Sequence, residues 1–130
     1  MARRMKEREI TPDLLYSSPA KRALKTCREF AKVLGVKESA IKTDQELYHA
    51  GDDTLLSKVR QLNDKHDSVM LFGHNPGLTE FADLLTGEHL INIPTAGVVA
   101  ISFRSGSWKT VVEGSGNLEF FDFPKRNTGS

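Results

Sequence analysis

Twice in this chain a short run of strand-forming residues breaks straight into a proline-containing turn and then into a helical pattern. The segments are Asp13-Leu14-Leu15-Tyr16-Ser17-Ser18-Pro19-Ala20-Lys21-Arg22-Ala23 and Ser68-Val69-Met70-Leu71-Phe72-Gly73-His74-Asn75-Pro76-Gly77. Ser18 and Asn75 read as N-caps, each followed by proline at the first helical position, where its missing N–H costs nothing. A strand that feeds a helix so directly leaves the helix N-terminus beyond the strand's carboxyl end. Unpaired N–H groups and partial positive charge gather there, the setting in which open sheets bind ligands and helix N-termini bind phosphate. Lys21 and Arg22 fall in a helical first turn, where each opposes the helix dipole by roughly 0.3 to 1 kcal/mol. A bound anion would reverse that sign.

The rest of the chain extends this pattern into an α/β fold, a three-layer αβα sandwich around a mostly parallel sheet. Met1 to Glu9 reads as a helix and Leu14 to Ser17 as a strand. Ala23, Cys27, Phe30, Ala31 and Leu34 recur at helical spacing, with Gly35 as the stop. Asp52 and Asp53 open a further helix that buries Leu55, Leu56, Val59 and Leu62. Val69 to Phe72 is apolar without interruption, as expected of a central parallel strand. Leu78, Phe81, Ala82 and Leu85 form the next helical stripe, ended by Gly87. Ala96 to Phe103, Trp108 to Val112 and Leu118 to Phe123 read as three antiparallel β-segments, with the aromatics of this region as packing residues. Residues 1–125 are expected to make one domain, with Lys125 to Ser130 a polar, frayed tail.

Composition narrows the functional classes. At 130 residues about two thirds of the unfolded chain's surface can be buried, enough for one core. Charged residues make up 27% and the net charge is only +1, so no bulk field favours nucleic acid or membrane. The cations Arg3, Arg4, Lys6 and Arg8 are interleaved with Glu7 and Glu9 and read as a solvated helix face. One cysteine excludes an internal disulfide and suits a reducing cytoplasm, which is the expected location. No apolar run reaches membrane-spanning length and no signal peptide is evident.

The stretch from Ser18 to Thr26, the turn Gly73-His74-Asn75-Pro76, and Ile93-Pro94-Thr95-Ala96-Gly97-Val98 resemble, in order and spacing, the bacterial phosphohistidine phosphatases. These belong to the histidine phosphatase, or phosphoglycerate-mutase-like, superfamily. The resemblance runs from Met1 to about Lys125. It implies a phosphatase acting on phosphohistidine in proteins or on small phosphorylated compounds, through a covalent phosphohistidine intermediate and without a cofactor. In one respect this sequence departs from the family. The resemblance calls for a first strand ending in Arg-His-Gly or Arg-His-Ala, whose histidine is the nucleophile, and no Arg-His pair occurs among the 130 residues. The expectation is therefore a fold missing its usual first strand.

The resemblance also assigns roles. Arg22 is expected to grip phosphoryl oxygens, since a guanidinium offers paired donors to adjacent oxygens. His74 is expected to hydrogen-bond the transferring phosphoryl group without acting as nucleophile. Glu46 is the best-placed general acid for the leaving group, and an exposed loop glutamate fits its sequence context equally well. Ser18 reads first as a cap, Gly77 as a close-packing position and Lys21 as solvated. Thr95 could add a donor to the pocket rim. His49, His66 and His89 read as exposed. No histidine is spaced with another ligand for a catalytic metal. Cys27 reads as a buried, inert thiol.

Two alternatives stand beside the phosphatase reading. The missing nucleophile favours a non-catalytic phosphate-binding or phosphohistidine-recognition module. A sheet lacking its first strand would also expose an edge, through which two copies could pair as a homodimer.

Overall fold

The structure, a computed structural model, describes residues 1–90, 93, 98–104 and 106–123. Their order is α1 (Ala2–Glu7), β1 (Leu14–Ser17), α2 (Lys21–Leu34), β2 (Ile41–Thr43), α3 (Asp52–Arg60), β3 (Val69–Phe72), α4 (Gly77–Thr86), β4 (Val98–Phe103) and β5 (Gly116–Asp122). Short 3₁₀ turns at Glu38–Ala40, Gln45–Leu47 and Trp108–Thr110 complete it. The fold class is α/β, as the alternation of elements implied. The residues gather into two compact units, one of residues 2–49 and 65–74, the other of 50–64 with the described residues from 75 onward.

The first unit holds a parallel three-stranded sheet in the order β2-β1-β3. In register, Ser17 of β1 lies opposite Thr43 of β2 and Phe72 of β3, so the three carboxyl ends are level. Every residue of β1 is buried, as befits a strand paired on both sides. The amphipathic helix α2 packs on β1 and β3 through Ala23, Cys27, Phe30 and Ala31, and α1 packs on α2 with Met5 fully buried. Phe30 meets Phe72 edge-on at 5.4 Å. Gly35 ends α2 in the left-handed conformation, φ 72°, where a side chain would be strained.

One expectation about this sheet needs correction. β3 is not central: among the described residues its only strand partner is β1, so its unbroken apolar sequence belongs to an edge. β2 shows no strand pattern of its own and owes its conformation to pairing with β1.

In the second unit α3 and α4 pack together, and β4 pairs antiparallel with β5. Asp52 and Asp53 open α3, and Leu55 and Val59 are buried along it, with Leu62 just beyond. Leu56 is only half-buried. In α4, Phe81, Ala82 and Leu85 are buried and Gly87 closes the helix. Trp108 to Val112 is not a β-segment. The Asp64 carboxylate accepts the Trp108 N–H at 3.0 Å and the Ser107 hydroxyl at 2.9 Å, which winds the chain into a 3₁₀ turn. Thr95 and the tail 125–130 lie outside the described residues, as do the first two residues of the expected segment from Ala96.

Candidate functional site

Parallel strands in register bring the loops that follow them to one end of the sheet, and here the candidate residues follow all three strands. Arg22 comes after β1, Glu46 after β2 and His74 after β3. Backbone bonds carry the strand pairing into these loops. The Ser18 N–H donates to Phe72 O at 2.9 Å and the Asp44 N–H to Ser17 O at 3.1 Å. Short strands therefore end in loops held to about the precision of the sheet.

The central contact joins the two strand–helix turns. His74 Nε2 lies 2.9 Å from Ser18 Oγ. Ser18 is fully buried, and its hydroxyl also accepts the Ala20 N–H at 3.2 Å. Ser18 is thus not the helix N-cap, a position Ala20 occupies, and Pro19 precedes the helix instead of opening it. The Ser18 hydroxyl instead ties the turn, through the Ala20 N–H, to His74. Asn75 likewise lies one residue before the N-cap of α4, which is Pro76. Its Oδ1 still accepts the Thr79 N–H at 3.3 Å and the Thr79 hydroxyl at 2.8 Å.

Tyr48 completes the surroundings of His74. Its ring lies 5.6 Å from the His74 ring and 4.6 Å from that of His49, and 39% of Tyr48 remains exposed. Leu47, 2% exposed, anchors this loop from below. A Cβ added to Gly77 would lie 2.2 Å from Ala50 O, so the expected close-packing role of Gly77 has a named neighbour.

Arg22 occupies the first turn of α2, four residues after Ser18, and is exposed. Its guanidinium forms no hydrogen bond or ion pair with any described residue. An Arg whose donors face solvent at a helix N-terminus is available to an incoming oxyanion. Glu46 is exposed, and its N–H donates to Asp44 Oδ1 at 2.9 Å. Asp44 Oδ2 in turn accepts the Tyr16 hydroxyl. Burial, with Asp44 and then Glu46 as nearby negative charges, raises the Tyr16 phenol well above its ordinary range.

His49 and His89 are exposed as read from the sequence, whereas His66 is half-buried. Cys27 is fully buried, and burial pushes its thiol up to about 11 against the opposing pull of Ser17 and Arg28, so it is unreactive at neutral pH. Among the described residues no three His, Cys, Asp or Glu side chains are grouped to hold a metal ion. No helix among them is long and apolar enough to cross a membrane.

Comparison with solved structures bears on this arrangement. The chain superposes on a candidate phosphohistidine phosphatase SixA from Agrobacterium tumefaciens with a TM-score of 0.76, at 27% identity, covering 95% of this chain and 75% of that one. A second candidate SixA, from Nakamurella multipartitia, gives 0.78 at 17% identity, covering 95% and 77%. A protein histidine phosphatase SixA complexed with tungstate gives 0.77 at 19% identity, covering 92% and 74%. Its fold is that of the phosphohistidine phosphatases. An uncharacterized protein of Mycobacterium leprae is 24% identical over 97 residues, 68% of this chain, and the chain spans 60% of that relative's length. No protein-family model matches the chain.

Within this phosphohistidine phosphatase fold, sequence reasoning missed two features of the site. Ser18 was read as a cap, although its position between strand and helix already placed its hydroxyl at the crevice. Tyr48 carried no signal, because it reaches His74 only through the pairing of β2 with β1, and β2 is not legible as a strand.

Proposed function

We propose that the protein is a phosphohistidine phosphatase whose Arg22 and His74 hold the phosphoryl group. The reading is carried by the His74–Ser18 contact at 2.9 Å, which fixes an imidazole beside the turn that leads into α2, and Arg22 follows Ser18 by four residues in the first turn of that helix. Likeness to the Agrobacterium tumefaciens protein at 27% identity supports the choice of substrate. The reaction is cleavage of the P–N bond of phosphohistidine in two steps, the phosphoryl group passing to a histidine nucleophile, carried in the resembled family by an Arg-His-Gly or Arg-His-Ala motif that these 130 residues do not contain, and then to water. Arg22 offers two donors to the equatorial oxygens and His74 a third, stabilising charge that spreads over them in the transition state. Ser18 keeps the His74 ring in place. Glu46 is proposed as proton donor to the departing nitrogen.

The absence of an Arg-His pair from the 130 residues favours a second reading, in which the same pocket recognises phosphohistidine without hydrolysing it. Both readings require an oxyanion site. Titration calorimetry with tungstate tests them together: binding by the wild type that Arg22→Ala weakens at least tenfold is expected, and equal binding by the two proteins would refute the pocket. Release of phosphate from a phosphohistidine peptide then separates phosphatase from recognition module.

A further inference from the structure

One face of α2 carries charge that the phosphoryl pocket does not use. Lys21, Lys25, Arg28 and Lys32 follow one another at intervals of four, three and four, so at 3.6 residues per turn they fall within an arc of roughly 60°. All four are exposed, and none forms a side-chain hydrogen bond or ion pair with a described residue. Neighbouring like charges at these spacings oppose helix formation, and Lys21, in the first turn, also opposes the dipole. A helix of this length could place its cations on separate faces.

The same four cations line an open groove of about 700 Å³. Leu24 and Val36 contribute apolar lining, as does Pro19, which adjoins the buried Ser18 in sequence. From Lys21 to Lys32 the row extends about 16 Å at 1.5 Å per residue. Such a track is too long for a phosphorylated metabolite. Glu29 and Glu38 also line it, and acids set among the cations suit the mixed surface of a folded protein better than the uniform negative charge of a nucleic acid.

We propose that this groove docks the acidic face of the protein that bears the phosphohistidine, leading its phosphorylated side chain to Ser18 and His74. The proposal rests on the phosphohistidine reading above and narrows its substrate to a polypeptide. Lys25, Arg28 and Lys32 then act in recognition alone and take no part in holding the phosphoryl group.

The test uses four fluorescent peptides of about fifteen residues, acidic (Asp- and Glu-rich) or neutral (Asn- and Gln-rich). Each carries at its centre either histidine or the stable analogue phosphoryl-triazolylalanine. At low salt the acidic peptides are expected to bind the wild type at least tenfold tighter than the neutral ones. In about 0.5 M salt that advantage should vanish, since screening then acts within a few ångströms. Lys25→Glu with Arg28→Glu should abolish the preference and leave tungstate binding unchanged. Lys25→Gln with Lys32→Gln, milder on the helix, should halve it or more. Equal binding of acidic and neutral peptides by the wild type, or a preference that survives charge reversal, would overturn the proposal. So would a fifteen-nucleotide single-stranded DNA that displaces the acidic peptide more effectively than unlabelled acidic peptide does. The unphosphorylated pair reads the groove alone, whereas failure of the analogue to add affinity over histidine counts against the pocket.

Discussion

The parallel sheet and the antiparallel ribbon divide the work of this molecule unequally. β1, β2 and β3 have only three or four residues each, yet every proposed site residue follows one of them. β4 and β5 are longer, six and seven residues, and the site takes nothing from them. The cause lies in chain direction. Parallel strands deliver all their carboxyl ends, and the helix N-termini that follow, to one edge, whereas an antiparallel pair sends successive ends opposite ways. Burial singles out one strand: β1 is wholly buried, whereas two of the three residues of β2 are exposed and every residue of β4 is half-buried.

Core truncation should sharpen this contrast most. Leu15, fully buried in β1, is expected to cost about 2 to 5 kcal/mol as Leu15→Ala. Ile101→Ala in half-buried β4 should cost less than half as much, and comparable losses in urea unfolding would erase the distinction. Next in size is Gly77→Ala, whose Cβ would meet Ala50 O at 2.2 Å. Overpacking against backbone costs about 1 to 3 kcal/mol, and the thermal midpoint should fall accordingly.

Arg22→Ala separates function from stability. Loss of a charge-assisted hydrogen bond of about 1.5 to 3 kcal/mol should weaken tungstate binding at least tenfold. Removing a cation from the first turn of α2 should meanwhile raise stability by about 0.3 to 1 kcal/mol. A variant that loses both would mark Arg22 as structural.

The smallest effect appears only in alkali. Burial raises the Cys27 thiol from 9.0 to about 11, so above pH 9 the unfolded chain releases a proton that the folded one retains. Stability contributed by this group is complete below pH 9 and is lost as pH rises towards 11. Tyr16, also raised, acts in the same direction above pH 10. Both residues belong to the parallel unit. Denaturation from pH 8 to 11 should show a shallower decline for Cys27→Ala than for the wild type, and parallel curves would exclude the thiol as a source.

Legibility in the sequence followed the range of the forces involved. The buried face of α2 and its stop at Gly35 were readable because helical periodicity and a left-handed cap are local. The direction of β1 and β3 was readable because each leads at once into a helix. Arg22 and His74 followed from those turns together with the family resemblance. β2 was hidden: Ile41-Lys42-Thr43 has too few residues to show a period, and its partner lies 26 residues earlier. The turn at Trp108 was mistaken for strand because Asp64, 44 residues away, decides its shape. Ser18 was read by its commonest local role, and only the fold brought His74 to it.

The approach of Gly77 to Ala50 O has a consequence for descent. Any ancestor or cousin bearing a larger residue at position 77 must have carried a displaced backbone at position 50, two residues beyond the aromatic that flanks the imidazole. Position 77 is thus closed to any side chain for as long as that carbonyl keeps its place.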